Sequence, residues 1–217
     1  MKKVLLMGII LLTALYVKSA QQDTKAKEIL DKVSEKTRSF STLSADFSFT
    51  MKNEEMEIDE KNEGTIKFKG KKYSVDIKDL GFKIFSDGNT VWNYMEDGNQ
   101  VTISTLEDSG NDLMDPTSLF NIYERGFQSK FLGEEKENGK DVYKIELLPD
   151  SDEYDVSKII VSIDKNTMMI QSAVLYGTDE NLYGITINKL VTNKDYADSE
   201  FVFDESKFGD VEVIDLR

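Results

Sequence analysis

Leu43-Ser44-Ala45-Asp46-Phe47-Ser48-Phe49-Thr50-Met51 settles the class of fold. Apolar side chains fall on every odd position and polar ones between them, and a period of two belongs to a half-buried β-strand. The segment before it has a different period. Asp23-Thr24 opens it, and Ala26, Ile29, Leu30, Val33, Thr37 and Phe40 follow at spacings of three and four. This is one amphipathic helix with a charged outer face.

Downstream the period of two persists. Gly64-Thr65-Ile66-Lys67-Phe68 alternates, Gly70-Lys71-Lys72 reads as a turn, and Tyr73, Val75 and Ile77 form the next apolar face. Phe82-Lys83-Ile84 leads to Ser86-Asp87-Gly88-Asn89, and Val91-Trp92-Asn93-Tyr94 leads to Glu96-Asp97-Gly98-Asn99. Both are hairpin turn signals. Val101, Ile103 and Thr105 continue the pattern. Later strands read as 142–148, 158–163, 168–176 and 183–190, with Asp164-Lys165-Asn166-Thr167 as a turn. The acidic stretch Glu54 to Glu63 reads as a solvated hairpin tip. About ten short strands with turns every 8–12 residues imply an antiparallel meander that must curl. Asp115-Pro116 breaks the pattern as an N-cap followed by proline at the first helical position. Leu119, Phe120, Ile122, Tyr123 and Phe127 supply that helix with apolar groups on several faces. The expected architecture is mainly β: a curved antiparallel sheet with two or three helices laid over its concave face.

Composition removes many chemistries. The 217 residues include no histidine and no cysteine. Serine–histidine and cysteine–histidine nucleophilic centres, thiolate or imidazole zinc sites and disulfides are therefore excluded. Stability has to come from an apolar core, to which 12 Phe, 9 Tyr and 1 Trp contribute. A net charge of −14 argues against nucleic acid, whose phosphates want a basic face. Asp150, Asp152, Glu153 and Asp155 lack the glycine and distal glutamate of a calcium loop and read as a solvated loop. Six acids between Glu54 and Glu63 read as a charged hairpin rather than a paired-carboxylate centre. Neither a metal nor a cofactor is expected, and the chain reads as a non-enzyme.

Met1-Lys2-Lys3, the uncharged run Val4–Val17 and then Lys18-Ser19-Ala20 have the layout of a secretory signal peptide. Residues 1–19 are assigned to it, with cleavage after Ser19 or Ala20, and residues 20–217 to a single domain. Removing Lys2, Lys3 and Lys18 leaves 24 basic against 41 acidic residues, a mature charge of −17. An exported, soluble monomer of the bacterial periplasm is expected.

The order of these pieces resembles the LolA-type outer-membrane lipoprotein carrier family. The resemblance is carried by Ala45-Asp46-Phe47-Ser48-Phe49 behind the helix, by the glycine-led strand 64–69, and by the Asp-Gly turn with Trp and Tyr in 85–94. Asp115-Pro116 opening an apolar helix, and Phe201-Val202-Phe203 before Val211–Asp215, complete it. The resemblance implies an incomplete β-barrel closed by a helical lid, whose apolar cavity shelters the acyl chains of lipoproteins between inner and outer membrane. It also implies acylated lipoproteins as cargo, an inner-membrane release complex and an outer-membrane receptor. An extracytoplasmic sensor of lipid or lipoprotein on the same scaffold is the alternative. The expected ligand-lining residues are Phe47, Phe49, Ile66, Phe68, Trp92 and Tyr94 on strands and Leu119, Phe120 and Tyr123 on the lid helix. The family's Arg-Pro pair after the second strand is replaced here by Lys69-Gly70-Lys71-Lys72. Lys69, Lys71 and Lys72 are either a substitute charge for cargo transfer or a solvated turn.

Overall fold

The computed structural model describes residues 23–106, 126–151 and 154–217. One α-helix is found among them, α1 (Thr24–Arg38). Asp23 caps it, its carboxylate accepting from the Lys25 and Ala26 amides, and Lys36 and Arg38 stand in the last turn, where cations suit the helix dipole. The spacing of Ala26, Ile29, Leu30 and Val33 puts all four on one face, and all four are buried. Phe40 lies beyond the helix end. The expected helix at Asp115, and with it Leu119, Phe120 and Tyr123, lies outside the described residues, as does the expected signal peptide. Among the described residues no helix is long and apolar enough to cross a membrane.

Twelve strands form one sheet. They are β1 (Leu43–Asn53), β2 (Ile58–Lys69), β3 (Lys72–Ile77), β4 (Phe82–Ser86), β5 (Thr90–Met95) and β6 (Gln100–Thr105). The second half is β7 (Phe127–Glu137), β8 (Lys140–Pro149), β9 (Val156–Asp164), β10 (Met169–Gly177), β11 (Leu182–Thr192) and β12 (Glu212–Asp215). Their order is β12-β6-β5-β4-β3-β2-β1-β11-β10-β9-β8-β7, so β12 and β7 are edges and the sheet does not close. Two meanders are stitched together by the antiparallel β1–β11 pair. The single parallel pairing is β12 on β6.

Two expectations are corrected. Phe127 does not belong to a helix; it begins β7, an eleven-residue strand that the local pattern does not announce. Only Phe127, Ser129 and Phe131 mark its inner phase before the charged run Glu134–Glu137, which reads as loop until β8 is available to pair with it. The acidic stretch is not a long tip either. The turn occupies only 54–57, and β2 starts at Ile58 because β1 runs on to Asn53 and its last residues pair with Ile58 and Asp59.

Candidate functional site

Residues directly opposite in adjacent strands point to the same face, so the register sorts every side chain. Three rows cross β1 to β6. The first is Leu43–Phe68–Tyr73–Ser86–Val91–Ser104, and the second is Ala45–Ile66–Val75–Ile84–Asn93–Thr102. The third is Phe47–Gly64–Ile77–Phe82–Met95–Gln100. In the other direction Phe49 continues through Ile185, Ala173, Val161 and Ile145 to Phe131. None of the residues in these four rows carries a charge at neutral pH. This is the face that meets α1, and both belong to one apolar cluster. Phe47, Ile66, Val75, Val161 and Ile145 are essentially sealed from solvent.

Phe47, Phe49, Ile66 and Phe68 are thus gathered on one surface, Phe49 and Phe68 being only partly buried. Gly64 is needed there. A Cβ at that position would lie 2.5 Å from Phe47 Cζ, so the absence of a side chain makes room for the ring. Ser129 also faces inward, opposite Leu147; its hydroxyl is buried without a partner.

Trp92 and Tyr94 are placed on the opposite face. Ile84 pairs with Asn93 and Phe85 with Trp92, which puts Asn93 inward and both aromatics outward. There they meet the chain's return. Tyr94 packs against Phe208 at 4.4 Å and Phe203 at 5.7 Å between ring centroids, and those two phenylalanines stack at 4.6 Å. Phe85 meets Phe203 edge-on. Val101 on the same outer face is fully buried.

The lysines take part in this closure. Lys69 Nζ donates to Asp198 Oδ1 (2.9 Å) and the Tyr196 carbonyl (2.7 Å), and Lys72 Nζ donates to Asp198 Oδ2 (2.7 Å). Held by Lys69 and then Lys72, the Asp198 carboxyl falls from 3.8 to about 2. Lys67 pairs with Glu200 at 2.7 Å. Two of the three candidate lysines therefore fasten the C-terminal segment to the β2–β3 hairpin. Lys71 is exposed and has no ion pair among the described residues. Nothing in the sequence marks Asp198, Glu200 or Tyr196, more than 120 residues away, as partners of that turn. Between sheet and segment lies a cleft of about 260 Å³ whose walls include Lys67, Asp76, Lys83, Glu200 and Phe208. Its charges are matched: Lys83 lies 2.7 Å from Asp76.

Solved structures share this architecture. An uncharacterised conserved protein from Thermus thermophilus superposes with a TM-score of 0.61 at 14% identity, over 88% of this chain and 99% of that one. The structure of MucB gives a TM-score of 0.50 at 13% identity, over 88% of this chain and 66% of that one. At these identities the likeness establishes the fold. Comparison with curated proteins returns no match. The family model described as outer membrane lipoprotein carrier protein LolA matches residues 38–204. That span runs from the end of α1 through β11 to the Phe203 cluster, and the protein therefore belongs to the LolA family.

Proposed function

We propose that this protein is a periplasmic carrier that shelters the acyl chains of lipoproteins and moves them from the inner to the outer membrane. One observation carries the reading: four cross-strand rows without a charged side chain, on the helix-facing side of a sheet that does not close. Acyl chains offer no hydrogen-bonding groups, so methyl and aromatic surface suits them. Each CH₂ removed from water contributes ~0.8 kcal/mol, or roughly 12 kcal/mol for a 16-carbon chain. A carrier matches part of that with its own lining and still lets go. Phe49 and Phe68, less buried than Phe47 and Ile66, are the strand residues best placed to meet cargo. Leu119, Phe120 and Tyr123 remain the proposed lid contacts, and family membership supports a carrier rather than a catalyst. An inner-membrane release complex and an outer-membrane receptor are the proposed partners. Lys71 is the lysine of the turn available for cargo transfer, because Lys69 and Lys72 hold Asp198.

Mass spectrometry of the protein purified from periplasm tests this. Acylated lipoproteins in near-stoichiometric amount are expected, with uptake of lipoprotein from inner-membrane vesicles. Absence of both overturns the proposal, and a stoichiometric protein partner without lipid favours a sensor module.

A further inference from the structure

The charge-free rows are not uniform. Across β1 to β4 they are hydrocarbon, and on β5 and β6 they change to uncharged hydrogen-bonding groups. Asn93 sits between Ile84 and Thr102, Ser104 faces Val91, and Gln100 faces Met95. Asn93, Gln100, Thr102 and Ser104 are all half-buried. None of these four side chains has a hydrogen bond or ion pair among the described residues. A fold that needed them for stability would have paired them, as it pairs Ser48 with Glu63 at 2.8 Å on the outer face. Left to water at the end of an apolar floor, they supply donors and acceptors that a ligand covering the floor has to replace.

The same rows say what that ligand is not. With no lysine or arginine among them, a carboxylate or phosphate brought onto this face would lose its water without gaining a counter-charge. A protein of net charge −14 also repels anions at a distance. We propose that Asn93, Thr102 and Ser104 form a shelf that receives the uncharged linkage of an acyl lipid, its ester or amide carbonyls and glycerol hydroxyl. The chains then lie over Ile66, Val75 and Ile84. The proposal rests on the carrier reading and adds to it a ligand class: neutral glyceryl or amide-linked acyl groups in preference to free fatty acids or phosphatidates.

Binding to the full mature protein is measured for four fluorescent probes: a diacylglycerol, palmitate, phosphatidic acid and decylpyrene. Wild type is expected to take diacylglycerol ahead of both anions. The triple variant N93A/T102V/S104A is expected to lose about tenfold in diacylglycerol affinity and to keep decylpyrene within about twofold. Asn93→Lys, which supplies a counter-charge at a half-buried position, is expected to move the preference toward palmitate and serves if the triple variant does not fold. A diacylglyceryl lipopeptide that binds more tightly than diacylglycerol assigns the linkage to a protein anchor, and the reverse order assigns it to a free glycerolipid. Unchanged diacylglycerol affinity in the triple variant, or wild-type preference for palmitate, overturns the shelf while leaving the carrier intact. Failure of wild type to bind any of the probes overturns the carrier reading and the shelf with it.

Discussion

Phe47 and Gly64 show how one contact fixes a strand pair. They are directly opposite, and the ring of Phe47 occupies the space above Gly64. Gly64→Ala would put a methyl into a ring that is 1% exposed and into range of the Asp76 carbonyl at 3.1 Å. The expected loss is about 1–3 kcal/mol of folding stability in urea denaturation, the usual cost of overpacking. In a Phe47→Leu background the same substitution should cost clearly less, because the ring it strikes is gone; equal costs in both backgrounds would disprove the contact. Asp23 works differently. Oδ1 caps α1, while Oδ2 accepts from the Phe131 amide on edge strand β7 at 2.9 Å. The bonds from Phe131 and then Ala26 hold its carboxyl below 3.8. Asp23→Asn keeps a cap oxygen but turns an amide toward Phe131, so amide exchange at Phe131 should rise while α1 stays protected.

At the scale of elements, the C-terminal segment is a clasp over the outer face of β2 to β6. Aromatic stacking around Tyr94 and the Lys69–Asp198–Lys72 bridge hold it, and β12 adds parallel backbone pairing to β6. Asp198→Asn should therefore raise hydrogen exchange throughout 196–215 and leave β8 to β10 unchanged; uniform exchange would mean the segment does not open as a unit. The pH dependence follows from the sign of the shift. Asp198 is ionised more readily folded than unfolded, so its contribution is complete above 3.8 and disappears as pH falls toward about 2. Acid titration followed by exchange should release the clasp in that window in wild type, and Asp198→Asn should abolish the step. Glu137 holds a similar post on β7. Burial pushes its carboxyl up, but hydrogen bonds from Lys144, Ser172 and Ser162 outweigh this and leave it lowered.

For the whole molecule the decisive feature is that the two faces of one sheet have different work. The helix-facing side is apolar through Ala45, Ile66, Val75 and Ile84, and the outer side of the same strands is sealed by the returning chain. Substitutions should separate accordingly. Tyr94→Ala is expected to cost about 3 kcal/mol, by analogy with other buried aromatic truncations, and to leave acyl-probe affinity within about twofold. Phe49→Ala, on the helix-facing row, should weaken the same probe several-fold. Probe titration and denaturation on both variants decide this; weakened binding in Tyr94→Ala with none in Phe49→Ala would place the ligand on the other face.

The sequence alone determined the period of each element. Strict alternation in 43–51, 64–68 and 73–77, the Asp-Gly turns and the 3–4 spacing of α1 are local properties, and the elements stand where these properties predict. What it could not determine is which phase of a strand faces in when both phases are apolar. In Val91-Trp92-Asn93-Tyr94-Met95 the large aromatics look like lining, yet pairing with β4 turns them outward. The reason is the clasp: residues more than a hundred positions later cover that face, so neither side of β5 has to be polar. Likewise β7 is hidden until β8 pairs with its charged end, and Lys69 and Lys72 read as solvated until Asp198 arrives. Burial on one face is written in adjacent residues; burial on two faces depends on contacts that only the tertiary fold brings together.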